Sequence, residues 1–153
     1  MITLGSIYII TADFDRTLDF YRKLLQRDVI AQNKTRFAVF QIDGLCLSIM
    51  NGSFDREHSD EVVHREVYSP LYDDTERIMN SANCGKVVIN LCTDDLEKEY
   101  RRIRELGIGS ELTEIRYVNA IKPYWYFLLK DIDGNTIEIT GRYEEGEKNE
   151  SEE

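Results

Sequence analysis

The pattern of apolar residues predicts an α+β fold built from two βαβββ modules. Three observations carry it. Each half opens with a strand-like run that feeds a helical stripe, each helix is followed by three extended runs, and Asp-Gly turns fall in both halves.

In the first half, Ile2 to Thr11 is rich in Ile, Tyr and Thr, and reads as a strand. Phe14, Leu18, Tyr21 and Leu25 then recur at helical spacing, with Asp13 or Thr11 available to cap the helix start, where Asp13 and Asp15 suit the dipole. Extended runs follow near Val29 to Ala31, Arg36 to Ile42 and Leu45 to Met50, the last two joined by the turn Asp43-Gly44. A polar stretch from Asn51 to Cys84, with possible helical turns near Asp73 to Ser81, reads as a linker long enough to cover a site.

The second half restarts at Lys86 to Cys92, a strand, after which Thr93 or Asp94 caps a helix with the stripe Leu96, Tyr100, Ile103 and Leu106. Gly107 ends that helix. Runs near Ile108 to Ile115, Tyr124 to Leu129 and Thr136 to Thr140 complete the module, the last two joined by the turn Asp131 to Asn135. Asp13 aligns with Asp95, 82 positions on, and Gly44 with Gly134, 90 positions on, so the second half carries a small insertion. The expected layout is a single domain over 1–143, with modules at 2–50 and 85–141, the linker at 51–84, and an acidic disordered tail at 144–153. Joined modules of this kind form a concave mixed sheet enclosing a cavity.

At 153 residues the chain suffices for one well-filled core, and a composition 42% hydrophobic and 31% charged is that of a globular protein. The net charge of -10 repels phosphate backbones and anionic membrane surfaces, which argues against nucleic acid and membrane as partners. No basic leader and no run of roughly 20 apolar residues is visible, so a cytoplasmic location is expected. Cys46, Cys84 and Cys92 are odd in number and lack zinc-site pairing, and are read as buried reduced thiols.

The opening IYIITADFDRTLDFYRKLL resembles the strand-Asp-helix signature of the vicinal oxygen chelate superfamily, the glyoxalase, bleomycin resistance protein and dioxygenase group. The closing DIDGNTIEIT resembles its Asp-Pro-Asp-Gly-Asn hairpin, with Ile132 in place of the proline. In metal-dependent members four ligands come from the first and last strands of each half, and the resemblance maps them to Ser6, Ser48, Val88 and Glu138. Valine has no lone pair to donate, and one carboxylate with two hydroxyls falls short of a divalent site, so no metal or other cofactor is expected.

Strand alternation sends Thr136, Glu138 and Thr140 to the face opposite Ile137 and Ile139, and puts Val88 beside Lys86 and Asn90. Glu138 is a binding carboxylate, an acid-base group if enclosed, or a solvated strand residue. Tyr117, Tyr124, Trp125 and Tyr126 form an aromatic cluster in which Tyr124 and Tyr126 share one face and Trp125 and Phe127 the other. Tyr8, on the face of Ser6, and Phe40, in an interior strand, either line a pocket or pack in the core. The expected ligand-binding set is Ser6, Tyr8, Phe40, Ser48, Asn90, Tyr124, Tyr126 and Glu138. His58 and His64 lie in the charged linker and are read as solvated.

Three functions are compatible with this reading. The first is metal-independent binding or sequestration of a small aromatic or cationic molecule, as in the bleomycin-resistance branch. The second is a divalent-metal enzyme of the glyoxalase I or extradiol dioxygenase kind, with Glu138 as a ligand. The third is a non-catalytic homodimeric interaction subunit. A homodimer is expected, because halves of this fold are completed within a chain or between chains.

Overall fold

Period-two alternation and helical stripes resolve, in the computed structural model, into two four-stranded mixed sheets, each with one long helix packed against one face. The structure describes residues 5–58, 76–82, 86–118 and 124–144. Most of the tail, His64, Cys84 and linker residues 59–75 lie outside the described residues. The chain forms two compact units, Met1–Cys84 with Asp131–Gly134, and Gly85–Lys130 with Asn135–Glu153.

In the first unit, β1 (Ile7–Thr11), α1 (Phe14–Leu25), β2 (Ala31–Asn33), β3 (Phe37–Ile42) and β4 (Leu45–Asn51) give the sheet order β1-β4-β3-β2. The β1–β4 pair is parallel and the others antiparallel. Register places Ile9, Ala38, Phe40, Leu47 and Ile49 on one face, all buried, and α1 packs against β4 there. The helix buries Phe14, Thr17, Leu18, Phe20, Tyr21 and Leu24, so Leu24 rather than Leu25 ends the stripe. Each such large apolar side chain contributes about 1.5–3 kcal/mol by leaving water.

Of the two expected caps, Asp13 accepts the Arg16 amide at 3.2 Å, while the Thr11 hydroxyl accepts the Asp13 amide at 3.0 Å. Asp43 (φ 47) and Gly44 (φ 85) are both left-handed, as a two-residue hairpin closing Ile42 on Leu45 requires. The linker begins with α2 (Phe54–Glu57) and includes α3 (Glu76–Met79), where the Ser53 hydroxyl lies 3.3 Å from Met79 Sδ.

The second unit repeats the plan with β5 (Val88–Thr93), α4 (Leu96–Leu106), β6 (Arg116–Val118), β7 (Tyr124–Lys130) and β8 (Thr136–Gly141), in the order β5-β8-β7-β6. Its core is Leu96, Ile103, Phe127, Leu129, Ile137 and Ile139. The cap of α4 is Asp95, whose carboxylate accepts the Lys98 amide at 3.0 Å, and not Thr93 or Asp94. Thr93 serves one step earlier, with its hydroxyl 3.4 Å from the Asp95 amide. Leu106 departs from the expected stripe and is exposed, and Tyr100 is half-buried, edge-on to Phe127 at 5.2 Å.

The extended run expected at Ile108 to Ile115 is not a ladder strand. Left-handed residues Gly109 (φ 72) and Glu111 (φ 50) interrupt its pleat, leaving a single bridge from Ser110 to Lys130. At the far edge, a Cβ on Gly141 would lie 2.2 Å from the Thr93 carbonyl oxygen, so β8 reaches the end of β5 only because that position is glycine. Nor are the thiols buried as expected: Cys46 is half-buried and Cys92 exposed, because both sit on the sheet faces opposite the helices. Among the described residues no helix is long and apolar enough to cross a membrane.

Candidate functional site

The face of the second sheet opposite α4 collects the chemically active side chains. Register aligns Asn90 with Glu138 and Glu138 with Leu128, and one row on aligns Cys92, Thr140 and Tyr126. Glu138 is held at one oxygen: Oε1 accepts Asn90 Nδ2 at 2.7 Å and the Tyr124 hydroxyl at 2.9 Å. Asn90 Nδ2 also lies 3.2 Å from the Tyr124 oxygen, closing a three-membered cluster. Glu138 Oε2 has no partner among the described residues. The Tyr126 ring stands 6.1 Å from that of Tyr124, tilted by 40°, and Tyr124 is exposed. The result is an oriented carboxylate beside two phenol rings, able to accept a hydrogen bond or a cation while an aromatic plane stacks alongside.

The opposite face agrees with the expected alternation. Phe127 is fully buried, and Trp125 is flanked by Tyr117 and Tyr143, each at 4.8 Å between ring centres. On the Glu138 face, Lys130 donates to the Thr136 hydroxyl at 2.7 Å, and the Thr140 hydroxyl donates to the Trp125 carbonyl at 2.8 Å.

In the first sheet, Tyr8 is exposed and meets Phe37 edge-on at 5.6 Å. Ser48 pairs with both Tyr8 and Val39 and is buried, while Ser6 precedes β1 and is half-buried. Phe40 lines no open face. It alternates away from Phe37 and Val39, is wholly buried, and packs 6.5 Å from Tyr21 of the helix, so its role is in the core.

The four positions that the resemblance maps to metal ligands do not fit a divalent cation. Val88 offers no donor and pairs with Thr136, and the residue facing Glu138 across the strands is Asn90, whose amide already donates to that carboxylate. Among the described residues no three His, Cys, Asp or Glu side chains are grouped to hold a metal. His58 is stacked on Phe54 at 4.3 Å, with Nδ1 3.2 Å from its carbonyl oxygen.

A polar cluster not anticipated from the sequence lies in the first unit. The buried Tyr21 hydroxyl donates to Asp131 at 2.6 Å, and the Thr17 hydroxyl donates to Asp133 at 3.1 Å. Burial and then the charges of Asp131 and Asp133 hold the Tyr21 hydroxyl well above the ordinary tyrosine range. Burial likewise raises the Asp133 carboxyl, against the lowering effect of bonds from Thr11 and Thr17. Asp131 and Asp133 are ordinary turn residues by type, and they meet Tyr21 and Thr17 across 110 and 116 positions of sequence, a pairing no local pattern signals.

Residues 3–139 match the family model described as Glyoxalase/Bleomycin resistance protein/Dioxygenase superfamily. No curated protein sequence matches the chain. Solved structures share the fold at low identity. A lactoylglutathione lyase from Agrobacterium tumefaciens is 13% identical, with a TM-score of 0.61 over 91% of this chain and 92% of that one. A fosfomycin resistance protein, FosX from Mesorhizobium loti, is 16% identical, with a TM-score of 0.59 over 94% and 95%. A bleomycin-binding protein complexed with bleomycin is 17% identical, with a TM-score of 0.57 over 93% and 100%.

Proposed function

The chain belongs to the glyoxalase/bleomycin resistance protein/dioxygenase superfamily, and on that premise we propose that it binds a small aromatic or cationic molecule without a metal ion. The observation that carries this reading is the Asn90–Glu138–Tyr124 cluster, in which two donors fix one carboxylate oxygen and leave the other to accept from a ligand. Tyr126 supplies a second ring beside that of Tyr124 on the same face, and stacking on a planar cation adds to the charge attraction. The net charge of -10 further favours cationic over anionic ligands.

The metal-dependent reading, a glyoxalase-type or dioxygenase-type enzyme with Glu138 as a ligand, would need donors that Val88 and the hydroxyls of Ser6 and Ser48 do not supply. Isothermal titration against a panel of aromatic and cationic metabolites and antibiotics tests the proposal. A saturable ligand whose affinity drops in Glu138→Gln is expected, and absence of binding across the panel overturns it.

We propose in addition that the protein is a homodimer. Strands β1 and β5 each stand at an edge of their own sheet, the first exposing Ile7 and Tyr8 and the second Val88, and either edge offers unpaired backbone groups to a second copy. Light scattering on the eluting protein checks this, and a monomeric mass at tens of micromolar overturns it.

A further inference from the structure

Beyond the Glu138 face, the second unit has a groove of about 570 Å³ on the side of α4, a volume within the range of small-molecule sites. One wall is the helix row Glu97, Tyr100, Arg101 and Arg104, whose spacing puts all four on one face of α4. Glu114 and Tyr143 stand among the residues that complete it.

The charges on these walls are not equivalent. Arg101 is neutralised by Glu97, one turn earlier. Arg104 forms no ion pair among the described residues; its guanidinium instead lies over the Tyr100 ring, 5.5 Å from the centre. The Glu114 carboxylate likewise has no partner among the described residues. Among the described residues the groove therefore offers one guanidinium and one carboxylate without an ion-pair partner and two phenol rings, with Tyr143 backed by Trp125.

We propose that this groove is a second binding site, and that it takes a planar aromatic zwitterion, such as a free aromatic amino acid. The ring would stack on Tyr143, the carboxylate would pair with the Arg104 guanidinium in a two-pronged geometry, and the ammonium group would pair with Glu114. A ligand carrying only one of the two charges leaves Arg104 or Glu114 unmatched, and binds more weakly for that reason.

Isothermal titration with L-tryptophan, tryptamine and indole-3-propionate, run in the Glu138→Gln chain so that the carboxylate face does not take the cationic analogue, with tryptophan also titrated into wild type, tests the assignment. Tryptophan is expected to bind at one site per chain, at least tenfold more tightly than either single-charge analogue. Arg104→Met is expected to weaken tryptophan at least tenfold with an unchanged thermal midpoint, since the side chain is exposed. Glu138→Gln is expected to leave tryptophan binding untouched, which separates this groove from the carboxylate face on the other side of the sheet. No tryptophan binding, equal binding of the three compounds, or loss in Glu138→Gln with retention in Arg104→Met would each overturn the proposal.

Discussion

The Tyr21 hydroxyl donates a 2.6 Å hydrogen bond to the Asp131 carboxylate, tying the middle of α1 to the turn between β7 and β8. Tyr21 is wholly buried and Asp131 nearly so, which makes this a charge-assisted bond shielded from water. Tyr21→Phe is expected to cost about 1.5–3 kcal/mol, the range for hydrogen bonds to charged groups. Urea denaturation followed by fluorescence checks it, and a loss below about 0.5 kcal/mol would contradict the value ascribed to such bonds.

The same pair sets an alkaline limit. The folded state holds the Tyr21 proton where an unfolded tyrosine, with a pKa of about 10, releases it. Stability tied to that proton is fully present below this value and is lost as pH rises above it. The gap between wild type and Tyr21→Phe should therefore narrow from pH 9 to 11. A gap that stays constant across that range would refute the linkage.

Asp133 titrates with the same sign at acid pH. Burial raises its carboxyl above the ordinary aspartate range, so the folded state binds the proton more tightly than the unfolded chain does. Stability relative to Asp133→Asn is thus greatest below about pH 4, the unfolded value, and falls as pH rises through the raised folded value. Thermal midpoints of both proteins at pH 4, 5.5 and 7 would display the slope, with the carboxylates remote from Asp133 cancelling in the difference.

Gly141→Ala introduces a Cβ 2.2 Å from the Thr93 carbonyl oxygen, a backbone atom that cannot swing aside. The end of the β5–β8 pair must shift, at a cost of about 1–3 kcal/mol. A drop in thermal midpoint, together with faster exchange of the Thr93 and Gly141 amides, is the expected result.

At the carboxylate face, Glu138→Gln keeps an acceptor for Asn90 and Tyr124 while removing the charge. For a cationic ligand the affinity should fall tenfold or more, about 1.4 kcal/mol, with little change in stability. Tyr124→Phe removes one of the two donors to Oε1 and should weaken binding less.

Much of this architecture was legible from alternation alone. The stripe of α1, the Asp43-Gly44 hairpin and the division of Tyr124 and Tyr126 from Trp125 and Phe127 follow from periods of 3.6 and 2, which local sterics impose. The site was half legible: alternation brings Asn90 and Glu138 to one face, but their register, and the reach of Tyr124 to the same oxygen, are set by pairing over long sequence distances. Phe40 illustrates the opposite error, since an interior strand offers two faces and only the packing of α1 decides which one is dry. The run at 108–115 failed for a local reason, the left-handed conformation at Glu111, which residue type does not announce.

The turn Asp131–Gly134 is contributed by the second half of the sequence yet packs as part of the first unit. A chain severed between residues 84 and 85 would thus leave its amino-terminal fragment without the carboxylates that meet Thr17 and Tyr21. Such a fragment can complete its own polar interior only by recruiting the other half in trans. The repeat is duplicated in plan but not in autonomy, since the first half does not carry the carboxylates that its own Thr17 and Tyr21 hydroxyls meet.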